Sequence, residues 1–305
     1  MTRRSFVVDD EEAGERLDKA IASQLGVSRS VAASLQALVD GRELSNSTRL
    51  QTGQRVEVEL AEEDQAAIKG QPVDFDVRFE DSDVAVIVKP AGLAVHPGAG
   101  RRESTLANGL IERWPGIRDV GEATRPGIVH RLDAGTSGLM LVALSKRAYE
   151  ALVEQISAHE VERNYVALVL GDVQPPTGKI DAPIGRDPRR RKRMAVLEGG
   201  RHAITHYRAT AHYAGGYSLV EVALETGRTH QIRVHMAAIG HPIAGDDTYG
   251  GGRASKKLGL HRPLLHSARI AFNHPVTGER IEIAEPLPPD LEGVLAVLGE
   301  PGDER

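Results

Sequence analysis

The sequence predicts an α+β protein: a mixed, mostly antiparallel sheet flanked by helices, preceded by a small N-terminal domain. Three observations lead there. Apolar runs of strand length outnumber helical repeats, and several successive strands are joined by short loops, which favours antiparallel pairing. A polar, acidic stretch from Ala61 to Val73 with Pro72 in it separates two apolar regions, as a linker does. The length of 305 residues exceeds one modal domain, so one large and one small domain are expected: 1–65, a linker at 66–73, and 74–305.

In the small domain, Leu17, Ala20, Ile21 and Leu25 recur at helical spacing and the run stops at Gly26, a glycine C-cap. A second helix is expected after it, capped by Ser28 or Ser30, with Val31, Leu35, Leu38 and Val39 as its stripe and Gly41 at its end. The alternation Arg55-Val56-Glu57-Val58-Glu59-Leu60 predicts a half-buried strand. This helix, helix, strand unit resembles the αL RNA-binding module first seen in ribosomal protein S-four. That module usually carries a valine-asparagine-glycine signature after its second helix, where this chain has Glu43-Leu44-Ser45-Asn46. In the large domain, strands are expected at 84–88, 128–132, 139–144, 165–170, 207–211 and 219–224, and helices near 105–114, 146–159 and 230–239. Thr229 is placed to cap the last helix and Gly240 to end it, with Ile232, Met236 and Ile239 facing the core.

Composition narrows the function. Apolar residues make up 40% and charged residues 27% of the chain, ordinary for a globular protein. There is no cysteine, which excludes disulfides, thiolate metal sites and thiol nucleophiles and fits a reducing cytoplasm. No apolar run approaches signal-peptide or membrane-spanning length, so no membrane partner is expected. The net charge of −5 conceals an uneven distribution: ten acids against Lys69 and Arg78 between Glu57 and Asp83, but Arg186, Arg189, Arg190, Arg191, Lys192 and Arg193 against Asp187 alone. A second basic stretch carries Arg253, Lys256, Lys257, Arg262 and Arg269 without an acid. Two basic patches on an acidic chain suit a localised polyanion site, although either one by itself reads better as a solvated loop.

Chemistry concentrates in Gly127-Ile128-Val129-His130-Arg131-Leu132-Asp133-Ala134-Gly135-Thr136-Ser137-Gly138-Leu139-Met140, two apolar strands around a polar turn. Alternation should bring Arg131 and Asp133 out on one face with Leu132 towards the core, offering a carboxylate at a loop rim beside a cation. From geometry alone a structural salt bridge is as good a reading as a catalytic acid.

His130-Arg131-Leu132-Asp133 with Thr136-Ser137-Gly138-Leu139 resembles the signature of the RluA/RluD family of pseudouridine synthases. The resemblance extends to Lys89-Pro90-Ala91-Gly92-Leu93 with His96-Pro97-Gly98, to Tyr165-Val166-Ala167-Leu168-Val169, to Thr226-Gly227-Arg228-Thr229-His230-Gln231-Ile232-Arg233-Val234-His235, and to Gly240-His241-Pro242-Ile243-Ala244-Gly245-Asp246. One departure is Ala134-Gly135, where relatives often have Lys-Asp. The resemblance implies isomerisation of uridine to pseudouridine in structured RNA, with large-subunit ribosomal RNA the expected partner, a monomer and no cofactor or metal. It implies that Asp133 is the catalytic carboxylate, that Arg233 pairs with it and fixes its direction, and that Tyr165 lies against the target uracil. Making pseudouridine detaches uracil from ribose at N1 and rejoins it at C5, so a carboxylate at the sugar, as nucleophile or base, is the central requirement. A stacked uridine must be extruded first, and Arg131 is expected to fill the vacated space. His130, Arg228, Arg189, Arg190, Arg191, Lys192 and Arg193 are the remaining expected RNA contacts, and the stretch from Lys256 to Arg262 is expected to hold phosphates too.

Two other readings compete. His130, His230, His235 and His241 could supply the acid and base of a ribonuclease, and a non-catalytic RNA-binding protein would keep the basic loops without needing Asp133. A hydrolase using Ser137 is excluded because Gly135-Thr136-Ser137-Gly138 lacks nucleophile-elbow spacing, and Gly178-Lys179 lacks that of a P-loop.

Overall fold

A computed structural model describes residues 2–9, 12–25, 32–33, 35–60, 68–97, 103–190 and 193–302. The chain divides into two compact units, Met1–Ala67 and Ile68–Arg305.

In the first unit β1 (Thr2–Val7), α1 (Leu17–Leu25), β2 (Gln36–Val39), β3 (Arg42–Glu43) and β4 (Arg55–Leu60) follow one another. The strands form an antiparallel sheet in the order β1-β4-β2-β3. Leu17, Ala20 and Ile21 of α1 bury completely against Val39, Leu50, Val56 and Val58, the apolar side that the helical and strand periodicities foretell. The expected second helix is corrected at its end. Gly26, Ser28, Ser30 and Val31 lie outside the described residues, but Leu38 and Val39 belong to β2 and pair with Glu57 and Val56. Asp40 and Gly41 turn the chain with φ of 49° and 75°, the two left-handed residues of a tight hairpin. Asp-Gly between apolar segments is a hairpin signal, and it outweighs the helical spacing of four residues.

The second unit runs β5 (Asp76–Glu80), β6 (Val84–Lys89), α2 (Leu106–Arg113), β7 (Gly121–Glu122), β8 (Arg125–Pro126), β9 (Ser137–Ala143), α3 (Lys146–Ser157), β10 (Glu162–Leu170), β11 (Thr177–Asp181), β12 (Ile184–Arg186), β13 (Met194–Val196), β14 (Ile204–Tyr213), β15 (Tyr217–Leu224), α4 (Gln231–Ala238), α5 (Gly252–Leu258), β16 (Leu265–Asn273), β17 (Arg280–Ala284) and α6 (Pro289–Leu298). The large sheet has the order β11-β14-β15-β10-β16-β9-β6-β5, with β17 also on β16. Every pairing in it is antiparallel except β9 with β16, so the sheet is mixed and mostly antiparallel. Val84 to Ile87 and Leu139 to Ala143 are wholly buried at its centre, as their unbroken apolar runs require.

Part of the expected linker is packed rather than free: Asn108 of α2 donates Nδ2–H to Lys69 O at 2.8 Å and Arg118 donates to Ile68 O at 2.9 Å. The expected strand at 128–132 is a single bridge, Ile128 to Val142. β9 is already paired along its length with β6 and at its start with β16, so the preceding chain is left to form a loop. Gly138 sits at that crowded start with φ of 113°. A Cβ there would lie 2.2 Å from Ser267 O, so only glycine lets β16 approach. This close parallel contact aligns the loop before β9 with the start of β10, because Ser267 registers with both Gly138 and Tyr165.

A candidate active-site cleft

The loop before β9 delivers Asp133 at its turn, with Leu132 buried and Arg131 exposed just ahead of it. Asp133 Oδ2 accepts from Arg233 Nη1 at 3.1 Å. The same guanidinium donates Nε–H and Nη2–H to the two oxygens of Asp246 at 2.6 and 3.0 Å. Asp246 is wholly buried and also accepts the backbone N–H groups of Thr248 and Tyr249 at 3.0 and 3.2 Å. Burial by itself would lower the pKa of Arg233, but Asp246 and Asp133 together raise it above the ordinary arginine value. The cation is therefore permanent, and its fork is fixed before any substrate arrives.

Arg233 rides on α4, whose first six residues are all buried, so the helix is enclosed rather than amphipathic. The expected cap is corrected: Thr229 is exposed, and the helix opens on His230 in the left-handed region at φ 57° without a side-chain cap. Gln231 Oε1 instead closes the turn by accepting from Thr226 Oγ1 and Arg228 N at 2.8 and 2.9 Å. The unusual φ aims the His230 ring at the site, 3.9 Å from Asp133 Oδ2 and 2.8 Å from the Tyr249 hydroxyl. Burial lowers the pKa of His230 while Asp133 opposes that shift. Tyr249 also lies under Arg233, 5.0 Å from guanidinium carbon to ring centre, and its hydroxyl accepts Met194 N–H at 2.9 Å.

Tyr165, at a bulge near the start of β10, lines the cleft with Asp133, Arg163, His230 and Arg233. It is 4% exposed, and burial raises its pKa, which keeps the phenol neutral. Lys89 supports the opposite side. Its Nζ is fully buried and donates to Pro90 O, Leu93 O and Ala134 O at 2.7, 3.0 and 3.2 Å, tying the Lys89-Pro90 motif to the residue after Asp133. Burial pushes the Lys89 ammonium down to about 7, with Asp133 opposing.

Other expected contacts divide sharply. Arg189 and Arg190 are exposed on the loop between β12 and β13, whose turn is held by Asp187 Oδ1 accepting both their backbone N–H groups at 2.8 and 3.2 Å. Arg193 is half-buried beside them, and Arg191 and Lys192 lie outside the described residues. Arg228 is half-buried and its Nε donates to His202 O at 2.9 Å. His130 turns inward: Nε2 accepts Leu141 N–H at 2.9 Å, so the ring holds the loop to β9 instead of offering an edge to RNA. Burial and then Arg163 press its pKa down to about 3. In the second basic stretch Arg262 is bound to Asp290 at 2.7 and 2.9 Å, leaving it no free fork for a phosphate; the Lys256 side chain lies outside the described residues.

The four histidines of the ribonuclease reading are dispersed in the same way. His235 is bound to Thr205 Oγ1 and Ala182 O, His241 to Leu170 O and His130 to Leu141 N, leaving His230 alone beside Asp133. No acid and base pair of imidazoles forms. Among the described residues no helix is long and apolar enough to cross a membrane, and no group of three or more His, Cys, Asp or Glu could hold a metal ion.

Sequence reading passed over Asp246 and Tyr249 as site residues. Asp246 lay inside a quoted motif, but nothing in its spacing to Arg233 announced a bidentate pair. Arg163 could have been found, since it precedes Tyr165 by two on one strand and so shares its face.

Residues 83–238 match the family model of RNA pseudouridylate synthases. An uncharacterized RNA pseudouridine synthase of Mycobacterium bovis is 42% identical over 98% of this chain and 99% of its own length. The ribosomal large subunit pseudouridine synthase D of Xanthomonas campestris is 43% identical over 97% of this chain and 93% of its own. Among solved structures, human RNA pseudouridylate synthase domain containing 1 superposes with a TM-score of 0.59 at 29% identity, covering 74% of this chain and 89% of that one. With its motifs, its sheet and its near full-length relatives in agreement, this chain belongs to the RluA/RluD family of RNA pseudouridine synthases.

Proposed function

We propose that this enzyme converts uridine to pseudouridine in large-subunit ribosomal RNA, with Asp133 as its catalytic carboxylate. The observation that carries the reading is the Asp133 carboxylate, 16% exposed at the cleft and aimed by an arginine that Asp246 holds from behind. A carboxylate so oriented can act at the sugar carbon or its neighbouring proton as the N1 bond breaks. Tyr165 supplies the apolar face for the base, where stacking contributes about 1–3 kcal/mol per base. Arg131, exposed and without a carboxylate partner among the described residues, fills the space the extruded uridine leaves. Arg189, Arg190 and Arg193, with Arg228, carry phosphate contacts that position RNA without reading its sequence. Residues 1–65, as an αL-like module, add RNA affinity ahead of the catalytic domain that begins near residue 74. The same reading makes the protein a cytoplasmic monomer that needs no metal or cofactor.

The test is carbodiimide labelling with primer extension across large-subunit ribosomal RNA treated with wild type or Asp133→Asn. Stops at specific uridines that vanish in the variant are expected, with RNA affinity retained, because loss of one catalytic group removes many powers of ten in rate. Near-normal activity in Asp133→Asn would sink the reading.

A further inference from the structure

The cleft contains a second buried arginine whose chemistry the carboxylate mechanism does not use. Arg163 is 4% exposed, as deep as Tyr165 two residues along β10. Arg233, the other buried arginine among the described residues, bonds two carboxylates, whereas Arg163 has none. Its recorded partners are main-chain carbonyls at the end of β15 and just beyond: Nη2 donates to Glu225 O at 3.0 Å and to Leu224 O at 3.5 Å. Its Nε is shut off from solvent and has no hydrogen-bond partner. On the cleft side Nη1 faces Gly227, where a Cβ would come within 3.0 Å, so the motif glycine leaves the guanidinium uncovered.

A guanidinium has five N–H donors, and two carbonyls on one nitrogen leave most of them unsatisfied. Burying a charge in that state is costly, and burial lowers the pKa of Arg163 accordingly. A structural arginine would be expected to recruit an acid, as Arg233 and Arg262 do. An arginine kept without one, in a cleft lined by a carboxylate and a neutral phenol, is complementary to negative charge that exists only during reaction. The reaction assigned above creates such charge. When N1–C1′ breaks, the bonding electron pair stays with the uracil ring and is shared between N1 and the two carbonyl oxygens. It is used again as C5 bonds to C1′, after which C5 loses its proton and N1 gains one, so that the product is an isomer.

Resting on that assignment, we propose that Arg163 is a further catalytic residue, donating hydrogen bonds to a carbonyl oxygen of the target uracil and stabilising the anion it becomes on leaving the ribose. A phosphate is the poorer occupant, because the exposed cations Arg131, Arg189 and Arg190 lie where a hydrated backbone can reach them, whereas Arg163 lies where an extruded base must go.

The experiment uses the full chain and transcripts of the ribosomal RNA segment that the wild type modifies. Single-turnover release of tritium from C5 is measured for wild type, Arg163→Met and Arg163→Lys, beside RNA affinity by filter binding and the thermal midpoint. A fall of about 100-fold or more in rate is expected for Arg163→Met, the size seen when one oxyanion donor is removed, with RNA affinity within about twofold. Arg163→Lys keeps the charge and should recover part of the rate. The decisive comparison places 2-thiouridine or 4-thiouridine at the target, since sulfur is the poorer acceptor. One of the two should slow the wild type strongly and Arg163→Met hardly further, a non-additivity that a merely structural clamp does not produce. Additive losses at both positions overturn the proposal even if Arg163→Met folds poorly, because Arg163→Lys can be read in the same cycle. Wild-type rates in Arg163→Met overturn it alone, whereas a wild type that releases no tritium overturns the functional reading beneath it.

Discussion

Two segments of this protein carry the same kind of charge in sequence and opposite kinds in the fold. In the first, Arg189 and Arg190 lie on the hairpin loop joining β12 to β13 and project into solvent while Asp187 is occupied with their backbone. Between Arg253 and Arg269 the chain enters α5 and β16, and acids from distant positions meet it. Asp290 takes Arg262, Glu162 and Glu282 take Arg269, and Lys257 stands over the ring of Tyr217. A count of basic residues measures charge present, not charge available. Availability is decided by which acids the topology brings alongside, and that is a tertiary property.

Lys89 is the extreme of the consumed kind, and replacing it should have the largest effect. Lys89→Met removes the one ammonium that Pro90 O, Leu93 O and Ala134 O share, of which, among the described residues, only Ala134 O keeps another donor, Gly92 N–H at 2.7 Å, so a loss of about 3 kcal/mol in urea unfolding is expected, together with slower turnover as the Asp133 loop loosens. Unchanged stability would break the comparison at its strongest point.

His130 extends it to a cation that the interior forbids. Its folded pKa of about 3 lies below the ordinary 6.5, so between those values the unfolded chain binds the proton and the folded chain does not. The stability this group contributes is complete above pH 6.5 and is lost as pH falls towards 3, on the order of 2 kcal/mol for a half-buried ring. The difference in unfolding free energy between wild type and His130→Gln, followed across that range, should show this component vanish in the variant.

Arg262→Met tests the second basic stretch directly. Arg262 also donates to Ser137 Oγ at 3.1 Å, beside the turn that carries Asp133. A stability loss of about 2 kcal/mol is expected, moderated because Asp290 is 58% exposed, with no change in the salt dependence of RNA binding. Arg189→Ala with Arg190→Ala should do the reverse. Affinity for ribosomal RNA should fall by about 1.4 kcal/mol and the log-log salt slope by about 1.4–1.8, while the thermal midpoint holds. Smallest of all, Arg269→Gln should cost about 0.5 kcal/mol and leave RNA binding alone, since its pairs with Glu162 and Glu282 lie at the surface. A weaker salt slope in Arg262→Met or Arg269→Gln would show that the ion pairs open to RNA.

Much of the site was legible because it is written in local order. Leu132 between Arg131 and Asp133 announces which side chain turns inward, whereas the strand that was to open at Tyr165 begins three residues earlier, at Glu162, and buries the ring. The expected helix over Leu38 and Val39 failed for a local reason as well: four apolar residues at helical spacing are a weaker signal than Asp40-Gly41, whose positive φ values turn the chain back into a hairpin. Thr229 failed as a cap because Gln231 closes the turn first. His130 failed as an RNA contact because its ring accepts a backbone N–H eleven residues away in sequence.

The sequence by itself determined the family, the mixed sheet and the emergence of Asp133 beside a buried Leu132, since each rests on residue order or on an ordered set of motifs, and the resemblance those motifs carry implied the pairing of Asp133 with Arg233. Only the tertiary structure decided that Asp246 holds Arg233 from behind, that Arg262 and Arg269 of the second basic stretch are taken by acids and that Arg163 lies buried without one. Those outcomes depend on which side chains, 13 to 107 positions apart in the sequence, the fold brings together, and periodicity along a chain carries no information about that.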